Sequence, residues 1–236
     1  MIKNLLLQVQ LQGQEHIADT LAVADMPAEE TLSIWSLMFK GGFVMIPLAI
    51  MSVIAIYIFI ERYLAIRRAS REETNFMNSI RDFMHEGRID SAKSLCRNND
   101  SPIASMIGKG LVRIGRPLND INAAIENVGK LEVAKLEKNI AVLATVAGSA
   151  PMLGFLGTVI GMVRAFYNMS MAGGNIDISL LAGGIYEAMV TTITGLTVGI
   201  IGYICYNILV SRIEKVVFLL EAKATEFMDL LHEPAA

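Results

Sequence analysis

The chain has few of the residues from which soluble sites are built. Its 236 residues hold two cysteines, Cys96 and Cys205, and three histidines, His16, His85 and His232. The cysteines lie far apart in sequence, so they form no disulfide framework and no metal-ligand spacing. The histidines match no ligand pattern either, and no metal or cofactor is expected. Nucleotide and hydrolase signatures are also missing: there is no GxxxxGK[ST] loop, no HExxH, no GxSxG and no dinucleotide fingerprint. An enzyme is therefore the weakest reading, and any energy used is expected to come from an ion gradient rather than ATP. No internal repeat is visible, which argues against an inverted-repeat transporter plan. Charge is scarce at 18% of residues with a net of −3, and no nucleic-acid partner is expected.

What fills the space is apolar. Hydrophobic residues make up 53% of the chain and the mean hydropathy is +0.49, too apolar for an ordinary soluble domain. Three runs are long enough to cross a hydrocarbon core of about 30 Å. The first is Phe43–Ile60, free of charge. The second is Ile140–Val163. The third is Ile178–Val210, interrupted by Glu187 alone. Pro47 and Pro151 are tolerable inside such helices because neighbours can satisfy the freed carbonyls. The expected class is an all-α integral membrane protein with three transmembrane helices and long helical extensions.

Basic residues set the expected orientation. Fourteen of the 20 Lys and Arg fall between Arg62 and Lys138, and none between Asn168 and Gly183. The positive-inside rule then places 61–139 in the cytoplasm, with the N-terminus and the 168–177 loop outside. Arg164, near the outer end of span two, is a mild exception. The divisions read from this are a periplasmic segment 1–40, spans at 41–60, 140–167 and 178–210, a periplasmic loop 168–177, and a cytoplasmic C-terminal helix 211–236. Residues 1–40 are expected to form an outer-surface amphipathic helix with Trp35 as an interface anchor, rather than a cleaved signal peptide.

The 61–139 segment reads as helical. Gly87 ends one helix, and Ser101-Pro102 opens another as N-cap and first helical residue. Pro117 opens a long one. Ile121, Ile125 and Val128 recur at i, i+4, i+7, while GKLEVAKLEKN supplies Glu/Lys pairs on the wet face. No stop is evident before span two, so that helix is expected to project well beyond the membrane. The third run, about 50 Å at 33 residues, also outlasts the membrane.

Glu187 is the residue that points to a function. It lies about 13 Å into the third run, near the expected midplane, where a charge costs about 2.5–3.5 kcal/mol on insertion scales. Such acids face a bundle interior or a wet path, so ion or proton passage is the default reading, and a structural carboxyl paired inside the bundle is the plain one. On a helical wheel Thr191 and Thr194 lie within about 40° of Glu187, and Thr192 about 140° away. A membrane threonine more often bonds back to its own helix. Gly157/Gly161 and Gly195/Gly199, spaced i, i+4, read as helix-packing positions. Glu61-Arg62 closes span one, most simply as an interfacial ion pair. Asp177 reads as a solvated loop residue, with an outer cation-gathering role as the sharper option.

Three stretches together resemble the ExbB/TolQ/MotA proton-channel family, nearest its ExbB/TolQ branch. GGFVMIPLAIMSVIAIYIFIER at 41–62 looks like the family's opening span. APMLGFLGTVIGMVRAF at 150–166 is similar to AP-x-LG-x-LGTV-x-GM-x-x-x-F. GGIYEAMVTTITGL at 183–196 is similar to PGIAEALIATAxGL. The resemblance implies a proton path through Glu187, Thr158 and Thr192, with Thr191 as a helper. It implies a ring, commonly a pentamer, around single-span ExbD/TolR-like subunits that bring a membrane aspartate. That assembly energises a TonB- or TolA-like protein from the bacterial inner membrane. The carried ion is expected to be H⁺, with Na⁺ left open by the sequence. Gly183, Tyr186 and Thr191 depart from the motif. Two other readings stand beside it: a MotA-like motility stator, which usually has four spans, and a non-conducting membrane scaffold.

Overall fold

The computed structural model describes residues 41–70, 75–171 and 178–232, which form seven helices. The expected amphipathic segment 1–40 with Trp35, and Asp177, lie outside the described residues.

Helix α1, Met45–Ala69, carries the first apolar run and continues past it into Arg67 and Arg68. Basic side chains in a last turn suit the negative end of the helix dipole. Four shorter helices follow: α2, Phe76–His85; α3, Ile89–Arg97; α4, Pro102–Val112; and α5, Leu118–Glu137. Their boundaries have local causes. Gly87 takes φ +70° just after α2, a conformation that costs other L-residues about 1–2 kcal/mol. The Ser101 hydroxyl accepts the Ala104 N–H at 3.2 Å, with Pro102 at the first helical position. Pro117 precedes α5, whose Ile121 and Ile125 are buried while Glu126–Lys130 and Glu132–Lys135 pair on its outside.

Helix α6, Ile140–Met171, and helix α7, Ile178–His232, complete the fold. At 55 residues α7 is about 82 Å long, an unbroken rod through the apolar run and the amphipathic tail. The sequence offered no stop between α5 and α6, yet the structure has one. Lys138 turns to ψ 132° and Asn139 takes φ 65°, so the rod breaks for two residues. Asn tolerates this left-handed conformation better than most residues, and the Asn139 carbonyl accepts the Val142 N–H of the new helix. At the far end α6 runs on to Met171, so the first four residues of the expected 168–177 loop are helical.

Among the described residues three helices are long and apolar enough to cross a membrane, within α1, α6 and α7. Large apolar side chains point outward along them: Ile46, Ile50 and Val53 on α1, Met152, Phe155 and Val159 on α6, Ile193, Ile200 and Ile204 on α7. In water such a surface is a liability, whereas lipid is as apolar as the side chains themselves. The main core lies beyond, where α2–α5 pack with the end of α1, the start of α6 and the tail of α7. Phe227, Ile66, Ile80, Ile107, Ile125 and Val216 are fully buried there.

Arg62 joins the two regions. It pairs with Glu61, and its Nη1 donates to the Lys135 carbonyl at 3.0 Å, near the end of α5. The interfacial pair is thus present, but only 8% of Arg62 is exposed, so the guanidinium is a buried strut rather than a solvated charge. Beside it the Arg212 guanidinium lies 4.5 Å from the centre of the Tyr63 ring.

Candidate functional site

Helices α6 and α7 run antiparallel and pack closely, and small residues explain how. A Cβ placed on Gly195 would meet the Ala150 carbonyl oxygen and the Gly154 Cα, both at 2.7 Å. One on Gly157 would meet Thr191 Oγ1 at 2.5 Å, one on Gly161 the Ala188 Cβ at 3.0 Å, and one on Gly199 the Pro151 Cγ at 2.5 Å. Backbones therefore touch where only hydrogen fits, which is how helices associate in lipid. Gly199 also faces the Ala147 carbonyl, the acceptor that Pro151 leaves without its helical N–H.

This seam divides the candidate polar residues into two flanks. On one flank Thr192 Oγ1 donates across to the Gly154 carbonyl at 3.2 Å and lies 3.3 Å from the Ala188 carbonyl of its own helix. Thr158 is one turn beyond Gly154, about 40° round, and so shares that flank. Its hydroxyl bonds to the Phe155 carbonyl at 2.5 Å. On the other flank Glu187 Oε1 lies 3.2 Å from Arg164 Nη1. Glu187 and Thr192 are about 140° apart on α7, and Arg164 and Thr158 about 120° apart on α6. Within one chain Thr158 and Thr192 therefore share one flank, and Glu187 lies on the other.

Thr191 sits between the flanks, 1% exposed, beneath Gly157. Its hydroxyl returns to the Ala188 carbonyl at 2.8 Å, and that of Thr194 to Val190 at 2.8 Å. Both fill the seam or close their own helix, and neither reaches the Glu187 carboxylate.

The Glu187 flank is the one against which α1 packs, through Met45, Leu48 and Met51 with Ala150, Leu153, Ile160 and Val198. Gly42 completes the site. It has φ +67°, and a Cβ there would collide with Glu187 Oε1. The carboxylate is thus held at a three-element junction: α6 through Arg164, α7, and the turn leading into α1. Gly42 stands three residues before α1 begins, so Glu187 is level with the start of the first apolar span, not with its middle. The third apolar run therefore starts above the level of the first.

Arg164 and Gly42 are the functional candidates that sequence reasoning missed. The signal for Arg164 was present as the one basic residue at the wrong end of its span. Gly42 carried no local signal. Among the described residues no group of three or more His, Cys, Asp and Glu could hold a metal ion.

The fold and site define a multi-pass membrane protein in which, among the described residues, Glu187 is the one carboxylate within the apolar stretches of α6 and α7. The chain belongs to the MotA/TolQ/ExbB proton channel family, whose pattern it matches over residues 98–222, more than half its length. Its relatives place it in the ExbB/TolQ branch. It is 33% identical over 182 residues to a biopolymer transport protein of Methanothermobacter thermautotrophicus named as an ExbB homolog, covering 75% of this chain and 63% of that one. It is 28% identical over 169 residues to an ExbB-like protein of Synechocystis, covering 71% and 80%. To the Tol-Pal system protein TolQ of Pseudomonas aeruginosa it is 26% identical over 215 residues, covering 85% and 93%. The family is one of transport and channel proteins.

Proposed function

We propose that this chain is the proton-channel subunit of an ExbB/TolQ-type motor in a bacterial inner membrane. It forms a ring, a homopentamer, around single-span subunits of the ExbD/TolR type. Proton flow down the gradient energises a TonB- or TolA-like protein for outer-membrane transport or envelope function. The N-terminus lies outside and the C-terminus in the cytoplasm, as the basic residues of 61–139 argue.

The observation that carries the reading is the Glu187 carboxylate at the junction of α6, α7 and the turn leading into α1, in a member of a proton-channel family. A carboxyl there can take a proton from one side and release it to the other when its surroundings alternate. The Thr158/Thr192 flank, open on the side away from α1, offers the hydroxyls along which such a path runs.

The Arg164–Glu187 pair also favours a second reading, a non-conducting scaffold in which the acid only ties α6 to α7. Proton flux separates the two. The chain is co-expressed with an ExbD-like partner, purified as a complex and reconstituted into vesicles under an imposed proton gradient. Flux that needs both the partner and Glu187, and is lost in Glu187→Gln, supports the channel. Equal flux from wild type and Glu187→Gln, or none from an intact complex, assigns Glu187 to structure.

A further inference from the structure

Each of the two longest membrane helices carries a single charge through its apolar stretch. Across Ile140–Met171 that charge is Arg164, and from Ile178 to Ser211 it is Glu187. The two sit on neighbouring helices at one level and meet at 3.2 Å. Gly161 against Ala188, and Gly184 against Ala165, bring the backbones close at this same level. No other charged side chain lies on α1, α6 or α7 at this depth among the described residues. The Gly42 backbone also faces the carboxylate at this level.

The contact with the Arg164 guanidinium ties the Glu187 carboxylate to α6. The pair also turns the carboxylate toward α1, onto the flank opposite Thr158 and Thr192. The described conformation therefore holds Glu187 away from the hydroxyls of the path, and the contact that holds it there is Arg164.

We propose that Arg164 is a latch: a positioning residue that keeps Glu187 on the α1 flank and closes the path until a partner engages. This deepens the proton-channel reading and rests on it. Opening requires the guanidinium to exchange its partner, and a carboxylate on the engaging membrane helix is the chemistry that can take it. Glu187 is then free to swing toward the threonine flank. Gly42 belongs to the same device, because its missing side chain leaves the pocket into which the latched carboxylate fits.

The test is proton leak into vesicles holding this chain alone, without any single-span partner. Wild type is expected to be tight. Arg164→Gln is expected to leak at least tenfold faster, Arg164→Lys to stay within threefold of wild type, and Arg164→Gln/Glu187→Gln to be tight again. That last result ties the leak to the acid rather than to a damaged bundle. Gly42→Ala, which pushes the carboxylate out of its pocket, gives an independent second route to the same leak should Arg164→Gln fail to assemble. Tight vesicles from both Arg164→Gln and Gly42→Ala overturn the latch, as does a leak that persists in the double variant. Failure of the channel reading is distinguishable: there, Glu187→Gln with its partner conducts as well as wild type.

Discussion

The two ends of this molecule are built on opposite packing rules. In the membrane region, α6 and α7 meet through Gly154, Gly157, Gly161, Gly195 and Gly199, while Phe155, Ile193 and Ile200 point outward. In the bundle beyond, the order reverses: Phe227, Ile107, Ile125 and Leu111 are buried, and the charges of α5 face out. Even Gly110 there serves the large residues, since its missing Cβ makes room for Phe227 and Ile125. Water accounts for the difference. Burying an apolar side chain is favourable only where the alternative is exposure to water. In lipid that gain vanishes, and close backbone contact takes its place.

This contrast yields four tests, from the largest expected effect to the smallest. Phe227→Ala is expected to cost about 3–5 kcal/mol, as for other buried aromatics, and to lower the thermal midpoint of the full chain in detergent. Gly195→Ala should cost about 1–3 kcal/mol by overpacking, although Ala is the better helix former. The same measurement reads it, and an unchanged midpoint would show that the seam can open freely. Ser101→Ala removes the cap on α4 and is expected to cost about 1 kcal/mol. Hydrogen exchange at the first turn of α4 should report it with little change elsewhere. The mildest test alters nothing. Burial in the bundle core pushes the Cys96 thiol up to about 11, so its reactive thiolate is scarce at pH 8. Alkylation of Cys96 at pH 8 should be slow in the folded chain and should accelerate on unfolding. Fast labelling of the folded chain would mean the bundle opens locally.

Much of the helical plan was legible because its causes are local. The break at Lys138–Asn139 was not, since Asn only tolerates the left-handed turn and does not demand it. The site was legible in part. A lone acid in an apolar run announces itself, and the seam glycines follow from spacing. The partners of Glu187 were not readable, because Arg164 and Gly42 come from elements 23 and 145 residues away, and no periodicity links them.

The amino-acid sequence by itself determined that three of its runs are long and apolar enough to cross a membrane, that helices extend beyond those runs, and that one carboxylate interrupts the third. Those properties depend on hydropathy, period and caps, each written within a few turns of chain. The tertiary structure alone decided which flank that carboxylate faces, which part of α1 it is level with and which cation holds it. These depend on how antiparallel helices are aligned side by side, and that alignment is fixed by glycine contacts between distant residues, not by anything one helix carries.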